Sequence, residues 1–208
     1  MKKSMCITYI VEGKLYVNIT NKCSNRCEFC IRNNGDGAYG SDSLWLMREP
    51  SVSEIKADLD KRDLTKYSEI VFCGYGEPTE RLKDAREVAF YIREKAPSLP
   101  IRINTNGHAD LILGEDSAPL FKDAFDTVSI SLNTPDSKRY MQICHPVFKE
   151  KAFDAMIVFA KNVKNYVQNV LFSVVRESLT EDELELCKKI SDECGVSLKV
   201  RTYIPPKR

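Results

Sequence analysis

Leu15-Tyr-Val-Asn-Ile-Thr-Asn-Lys-Cys-Ser-Asn-Arg-Cys-Glu-Phe-Cys30 is the stretch of sequence that decides the fold. In its first half apolar side chains alternate with polar or aromatic ones, which is the period of a β-strand. The run Cys6 to Val11 reaches this strand through Glu12-Gly13, and this arrangement predicts a short N-terminal hairpin. The second half places three cysteines within eight residues, so the strand leads directly into a loop of thiols.

Downstream of this loop, segments with strand patterns alternate with segments of helical spacing. Further strands are predicted at 69–74, 101–106, 127–132, 170–175 and 198–204. Helices are predicted from a cap at Ser51 or Ser53 to about Arg62, at 81–95, 117–125 and 149–163, and from a cap at Thr180 to Cys194. Six strand–helix units predict a parallel sheet covered by outer helices. The predicted fold is therefore α/β, a partial (β/α)6 TIM-like barrel in one domain spanning residues 1–208, with an open doubly wound sheet as the alternative.

Composition excludes several classes of protein. The chain has 208 residues, 43% of them hydrophobic and 29% charged, which is the balance of a globular domain. The net charge of +1 gives no sign of an electrostatic nucleic-acid binder or of a polybasic membrane anchor. The apolar run behind Lys2 and Lys3 is too short for a signal peptide, and no segment has the ~20 apolar residues of a membrane helix. We therefore expect a cytoplasmic protein.

The eight cysteines are many for a chain of this length. A small secreted protein would use them for disulfides, but this sequence has no secretion signal and has ample apolar residues for a core. Three thiols in one loop indicate metal binding instead, since thiolates suit zinc and iron–sulfur clusters. A structural zinc would need a fourth ligand, and no Cys or His lies nearby in sequence. A cubic cluster held by three cysteines would keep one iron open to a ligand that is not part of the protein.

Polar groups gather where the predicted strands end. The cysteine loop follows one strand, Gly74-Tyr-Gly-Glu-Pro78 follows the next, and Thr105-Asn106-Gly107 closes the third. Residues 129, 131 and 133 are Ser, Ser and Asn, and alternate positions of a strand share one face. Ligands of parallel α/β sheets bind at the carboxyl ends of the strands. The sequence therefore predicts a binding site at this rim.

The spacing CxxxCxxC, with an aromatic residue before the last cysteine, resembles the signature of the radical S-adenosylmethionine (SAM) superfamily. The resemblance covers nearly the whole chain and is nearest to the short radical SAM proteins known as TatD-family-associated. Three phrases carry the nearer match: Leu15–Asn21, Val71–Thr79 and Arg102–Gly107. The resemblance implies an enzyme that reduces a [4Fe-4S] cluster, cleaves SAM to a 5′-deoxyadenosyl radical and abstracts hydrogen from a substrate. It also implies an anaerobic setting.

The resemblance also implies roles for individual residues. Cys23, Cys27 and Cys30 would ligate the cluster, and Phe29 would lie against the adenine of SAM. The turn Gly74-Tyr75-Gly76-Glu77 would bind the methionine amino group through backbone carbonyls and the Glu77 carboxylate. The remaining contacts to ribose, methionine carboxylate and adenine would come from Asn106, Ser131, Asn133 and the backbone from Arg201 to Tyr203.

Two positions depart from the superfamily pattern. His145 stands where many members have an arginine that faces the SAM carboxylate, and its charge depends on pH near neutrality. Tyr75 replaces a commoner glycine, which matters little if the turn binds through its backbone. Beside His145, Cys144 could have a role toward the substrate, whereas Cys6, Cys73, Cys187 and Cys194 are expected to be packing residues.

The partners follow from the same resemblance. We expect an external electron donor of the flavodoxin or ferredoxin type and an unidentified substrate, either a peptide or a nucleoside. No membrane partner is expected, and the neutral charge gives no support to nucleic acid. A protein of a different class, a non-catalytic iron–sulfur or zinc-binding protein, is the alternative.

Overall fold

The computed structural model describes residues 2–202, and these form one seven-stranded sheet with helices on its outer side. The strands are β1 Thr8–Val11, β2 Lys14–Val17, β3 Ile70–Phe72, β4 Ile101–Thr105, β5 Thr127–Ser131, β6 Asn169–Val175 and β7 Ser197–Arg201. The helices are α1 Val52–Leu59, α2 Leu82–Lys95, α3 Ala109–Leu113, α4 Ser137–Cys144, α5 Lys151–Val163 and α6 Glu181–Cys194.

The strands lie in the sheet in the order in which they occur in the chain. β1 pairs antiparallel with β2 and forms the predicted hairpin, while β2 to β7 are all parallel. A doubly wound sheet would reverse its strand order at the switch point, so the sequential order excludes that alternative. Six parallel strands in an unclosed sheet confirm the predicted partial barrel.

The fifth strand separates an apolar outer face from a polar inner face. On β5, Val128 and Ile130 are fully buried in the main core, which the sheet forms with the outer helices. Ser129 and Ser131 alternate with them and face the inside of the barrel. This alternation concentrates the apolar packing outside the sheet and leaves polar side chains to the interior.

The helix caps follow the sequence closely. Ser51 and Thr180 both form capping boxes, with Glu54 and Glu183 as the reciprocal partners. Gly195 ends α6 in the left-handed conformation that glycine adopts at low cost. Among residues 2–202, no helix is both long and apolar enough to cross a membrane.

Two local predictions were wrong. The helix predicted at 117–125 is a single 3-10 turn, Ala118–Phe121, and α1 ends at Leu59 before reaching Arg62. α3 and α4 were not predicted, because each is short; in α4 only Tyr140 and Cys144 are buried, so its apolar spacing is faint. The last strand, predicted at 198–204, is Ser197–Arg201 in the structure, and positions 203 and 204 lie outside the described residues.

Candidate metal centre

A cavity of about 270 Å³ lies at the carboxyl ends of the parallel strands. Its wall contains all three cysteines of the loop together with most of the residues predicted to contact SAM. These are Cys23, Cys27, Cys30, Phe29, Gly74, Gly76, Glu77, Asn106, Ser131, Asn133 and Arg201. The structure therefore gathers, around one space, residues that lie up to 178 positions apart in the chain (201 − 23).

The three thiols are half-buried and reduced. Burial raises the pKa of Cys23 to about 12 and also raises that of Cys30. The pKa of Cys27 is raised first by a hydrogen bond with the Cys144 thiol and then by burial. Because a bare thiolate is costly here, the donor set suits a cation that replaces the protons. Asn25, in the same loop, has a buried Oδ1 without a partner among the described residues.

The spacing of possible ligands bears on the kind of metal. Within residues 2–202, no three His, Cys, Asp or Glu side chains gather closely enough to hold a single ion. A tetrahedral zinc would draw its thiolates together, since each Zn–S bond is ~2.3 Å long. A four-iron cube instead binds each thiolate at a separate corner. The three cysteines line one cavity, where each could bind a separate corner of such a cube.

The Gly74–Pro78 turn packs directly on the end of β2 and the start of the cysteine loop. A Cβ on Gly76 would lie 2.3 Å from the Thr20 carbonyl oxygen and 2.6 Å from that of Lys22. A Cβ on Gly74 would lie 2.0 Å from Asn18 Oδ1. Glycine at position 76 therefore allows a close approach of two backbone segments, and glycine at position 74 leaves room for the Asn18 side chain.

Glu77 presents a fixed carboxylate to this cavity. Its Oε1 accepts hydrogen bonds from the backbone N–H of Thr79 at 3.1 Å and from the Thr79 hydroxyl at 2.7 Å. Its Oε2 accepts from the backbone N–H of Asn106 at 2.7 Å. Burial raises the pKa of Glu77, and these hydrogen bonds oppose that shift. The geometry provides an oriented acceptor for a cationic group.

Asn106 and Asn133 are held by neighbours from the loop and from α4. Asn106 Nδ2 donates to Ser24 Oγ at 2.7 Å, and Asn106 Oδ1 accepts from the backbone N–H of His108 at 3.0 Å. Asn133 has a left-handed φ of 64° and donates from Nδ2 to the Cys144 sulfur at 3.5 Å. Both side chains line the cavity with restricted rotamers.

Two predicted side chains lie elsewhere. Tyr75 turns away, donates its hydroxyl to the Gly35 carbonyl oxygen at 2.9 Å and packs edge-on against Trp45. His145 is not among the described residues that line the cavity. It caps the end of α4, and its Nε2 lies 3.2 Å from Glu28 Oε1. Of the segment predicted to border adenine, Arg201 lines the cavity and Tyr203 lies outside the described residues.

Several residues of this region were not predicted. The cavity is also lined by Tyr9, Tyr16, Tyr39, Cys73 and Asn104. Two of them could have been found from the strand period, because alternate residues of a strand share one face. Tyr16 lies two residues before Asn18, and Asn104 lies two residues before Asn106. His108, which follows Gly107 at the end of the third predicted strand, is fully buried beneath the cysteine loop.

Comparisons with known proteins agree with this architecture. The model of the radical SAM superfamily matches residues 17–190. The FeMo cofactor biosynthesis protein NifB of Klebsiella pneumoniae is 24% identical over 134 residues, which are 63% of this chain and 28% of NifB. The chain thus spans less than a third of the length of this curated relative.

Solved structures share the fold at low sequence identity. Streptococcus suis SuiB bound to the precursor peptide SuiA has a TM-score of 0.65 at 17% identity, over 92% of this chain and 39% of SuiB. Native anSMEcpe with bound AdoMet has a TM-score of 0.61 at 20% identity, over 92% of this chain and 51% of that one. Because the family model covers most of the chain, the protein belongs to the radical SAM superfamily, whose members are enzymes that bind a [4Fe-4S] cluster and SAM.

Proposed function

We propose that this chain is a radical SAM core domain in which Cys23, Cys27 and Cys30 hold a [4Fe-4S] cluster with one iron left for SAM. The observation that carries the proposal is the convergence of the three thiols and the Glu77 carboxylate on one cavity. The cluster, when bound, supplies the electron that cleaves SAM to methionine and a 5′-deoxyadenosyl radical. The protein residues bind and orient the reactants.

Each group on the wall has a proposed task. The oriented Glu77 carboxylate accepts the methionine amino group, beside the backbone carbonyls of Gly74 and Gly76. Ser131 and Asn133 donate or accept hydrogen bonds at the ribose or the methionine carboxylate, and Phe29 and the backbone at Arg201 flank the adenine. Asn106 supports this wall through hydrogen bonds to Ser24 and His108. His145 interacts with Glu28, and for this reason we assign it no direct contact with SAM.

The substrate would enter through the open side of the barrel. Tyr9, Tyr16 and Tyr39 line that part of the cavity, and Arg201 lies on the opposite edge strand. A peptide or a nucleoside is the proposed substrate; SuiB, which is captured with a peptide, is a precedent for the first. Membership of the TatD-family-associated group, based on the phrases 15–21, 71–79 and 102–107, is part of the same proposal.

The proposed setting is cytoplasmic and anaerobic, with a flavodoxin or ferredoxin as electron donor. All eight cysteines lie among the described residues and none is disulfide-bonded, which is the thiol state of a reducing compartment. The single domain is supported by one main core that takes in residues of all six helices.

Anaerobic reconstitution tests the proposal. We expect about four irons per chain, a spectral change on adding SAM, and 5′-deoxyadenosine after reduction by dithionite. Cys27→Ser should lose the cluster, whereas Cys6→Ser, which replaces a half-buried cysteine that does not line the cavity, should retain it. A non-catalytic iron–sulfur protein would bind iron and show neither response to SAM.

A second variant examines the other thiol near the loop. Cys144 is buried and its thiol hydrogen-bonds with that of Cys27, so a fourth protein ligand would come from here. Cys144→Ala should keep the iron content and the SAM-dependent spectral change. Loss of the cluster in this variant, with a folded protein, would show that the fourth iron is not available to SAM.

A further inference from the structure

A set of buried polar side chains lies beneath the cysteine loop, and of its members only Asn106 lines the cavity described above. At its centre His108 is fully buried, with Nδ1 3.2 Å from Ser24 Oγ and Nε2 3.2 Å from the Tyr140 hydroxyl. Asn25 and Asn106 complete it, and we call these five residues the His108 network. Its members come from the cysteine loop, from the residues just after β4 and from α4.

Both ends of the network attach to the cysteine loop. Ser24 Oγ accepts a hydrogen bond from Asn106 Nδ2 at 2.7 Å, and Asn25 Nδ2 donates to the Tyr140 hydroxyl at 2.9 Å. Ser24 and Asn25 are the two residues that follow Cys23, and the Asn25 N–H also donates to the Cys23 sulfur at 3.4 Å. The network therefore fixes the part of the loop that separates Cys23 from Cys27.

The backbone of α4 fixes the next part. The N–H of Arg26 donates to the Cys144 carbonyl at 2.9 Å, and the N–H of Glu28 donates to the Ile143 carbonyl at 3.0 Å. These two donors flank Cys27 on either side. α4 thus holds the loop with its last carbonyls, while Tyr140 holds it one turn earlier with a side chain.

Asn106 joins the same network to the proposed SAM wall. Its N–H donates to Glu77 Oε2, and both polar atoms of its side chain are engaged, with Ser24 and with the His108 N–H. A shift of the loop would therefore displace Asn106 and change its hydrogen bond to the Glu77 carboxylate. One residue links the cysteine loop, the Glu77 turn and His108.

Burying polar groups is costly unless they find partners, and within the network only Asn25 Oδ1 lacks one among the described residues, so the remaining hydrogen bonds restrict its side chains. Burial also lowers the pKa of His108 to about 4, so the ring is neutral at neutral pH and fits between hydroxyl groups. Phe148 packs edge-on against the ring, with the centroids 5.8 Å apart. Apolar side chains at this place would avoid the desolvation cost of buried polar groups. The polar side chains instead provide directional hydrogen bonds that fix the position of the loop.

We propose that His108 and Tyr140 are positioning residues that hold the cysteine loop in its cluster-binding shape before the metal arrives. Neither touches the cluster; they act through Ser24 and Asn25. The inference rests on the proposed function, since it assumes that the loop binds the cluster, and it adds the part of the protein that shapes that loop.

Tyr140→Phe is the sharpest test, because it removes one hydroxyl and keeps the ring packed against Phe153. Tyr91→Phe is the matched control: it removes a hydroxyl that donates to Asp60 at 2.6 Å on the exposed surface. We expect iron loss to a chelator to be about tenfold faster in Tyr140→Phe, the factor typical of an unpaired buried polar group. The midpoint potential of the cluster should shift as well. Tyr91→Phe should match the wild type in both measurements.

A second substitution tests whether the residues of the network act as one unit. Ser24→Ala breaks the network at the loop, and it also serves if Tyr140→Phe fails to fold. If the network acts as one unit, the double variant of Tyr140→Phe and Ser24→Ala should lose iron no faster than the more affected single variant. The second substitution would then remove no further stabilisation of the loop. Independent contributions would multiply instead.

The proposal is overturned if Tyr140→Phe and Ser24→Ala lose iron at the wild-type rate with an unchanged potential. It is also overturned if they only lower the stability of the apoprotein to urea, because that is a purely structural effect. Failure of the proposed function is a separate result: in that case the wild type itself would bind no cluster.

Discussion

Among single residues, Glu77 presents a carboxyl group that is oriented before any ligand binds. Thr79 and Asn106 hold its two oxygens, and the side chain is 4% exposed. Glu77→Gln removes the charge while keeping the shape, so we expect the Kd for SAM to rise about ten- to a hundredfold, the range for a hydrogen bond to a charged group. Calorimetric titration of the reconstituted protein measures it.

The iron content of Glu77→Gln should equal that of the wild type, because the cysteine loop does not depend on the charge. Glu80→Gln, a half-buried carboxylate three residues along that does not line the cavity, is the control and should leave the Kd unchanged. A variant that bound SAM normally would remove Glu77 from the proposed site.

His108 gives a residue-level prediction about pH. Its pKa is about 4 in the folded protein, against about 6.5 in an unfolded chain. Between these values the unfolded state binds a proton that the folded state does not, so stability falls as the pH is lowered from 6.5 to 4. The full difference amounts to about 3 kcal/mol. Urea unfolding of the apoprotein at pH 7 and at pH 4.5 measures the effect.

The matched variant is His108→Gln, which cannot titrate. It should be less stable than the wild type at pH 7, yet it should lose less stability on acidification, because the remaining dependence comes from carboxylates alone. Equal pH dependence in the two proteins would mean that the buried ring is not what titrates.

At the scale of elements, the Gly74–Pro78 turn is constrained by a close approach rather than by a special backbone conformation. Gly76→Ala would press a methyl group onto two backbone carbonyls, which cannot move as a flexible side chain does. We expect it to lower the free energy of unfolding by about 2–3 kcal/mol, as overpacking does.

Gly114→Ala separates this steric effect from backbone strain. Gly114 has a φ of 73° and no atom within 4 Å of the added Cβ, so alanine there costs only the left-handed conformation, about 1 kcal/mol. Urea titrations of the two apo variants should therefore rank Gly76→Ala as the less stable protein. The reverse order would show that the turn can open at little cost.

The elements also show how far the sequence could be interpreted. Strand patterns, the Ser51 and Thr180 caps and Gly195 are local signals, and the structure confirms them. α4 carries no comparable signal: it is eight residues long, begins at an Asp136 cap and buries Tyr140 and Cys144, whose partners are distant in sequence.

The motif residues on the cavity were predictable from spacing at strand ends. The His108 network was not, because its hydrogen bonds join residues up to 115 positions apart.

For the whole molecule, the question is whether the fold depends on the metal. The main core joins apolar residues of the sheet to residues from all six helices, so burial of apolar surface holds the sheet and the helices together. A structural zinc site would behave differently, since such domains unfold when the metal is removed.

We therefore expect the apoprotein, after chelation under anoxic conditions, to keep its far-ultraviolet circular dichroism and a cooperative thermal transition. Cluster and SAM bind only the folded state, so the Tm should rise on reconstitution and rise again with SAM in proportion to its concentration relative to the Kd. Loss of the cooperative transition on chelation would favour the structural-metal alternative. A Tm that responds to iron and not to SAM would favour the non-catalytic iron–sulfur protein, because only the enzyme requires an open iron for its second ligand.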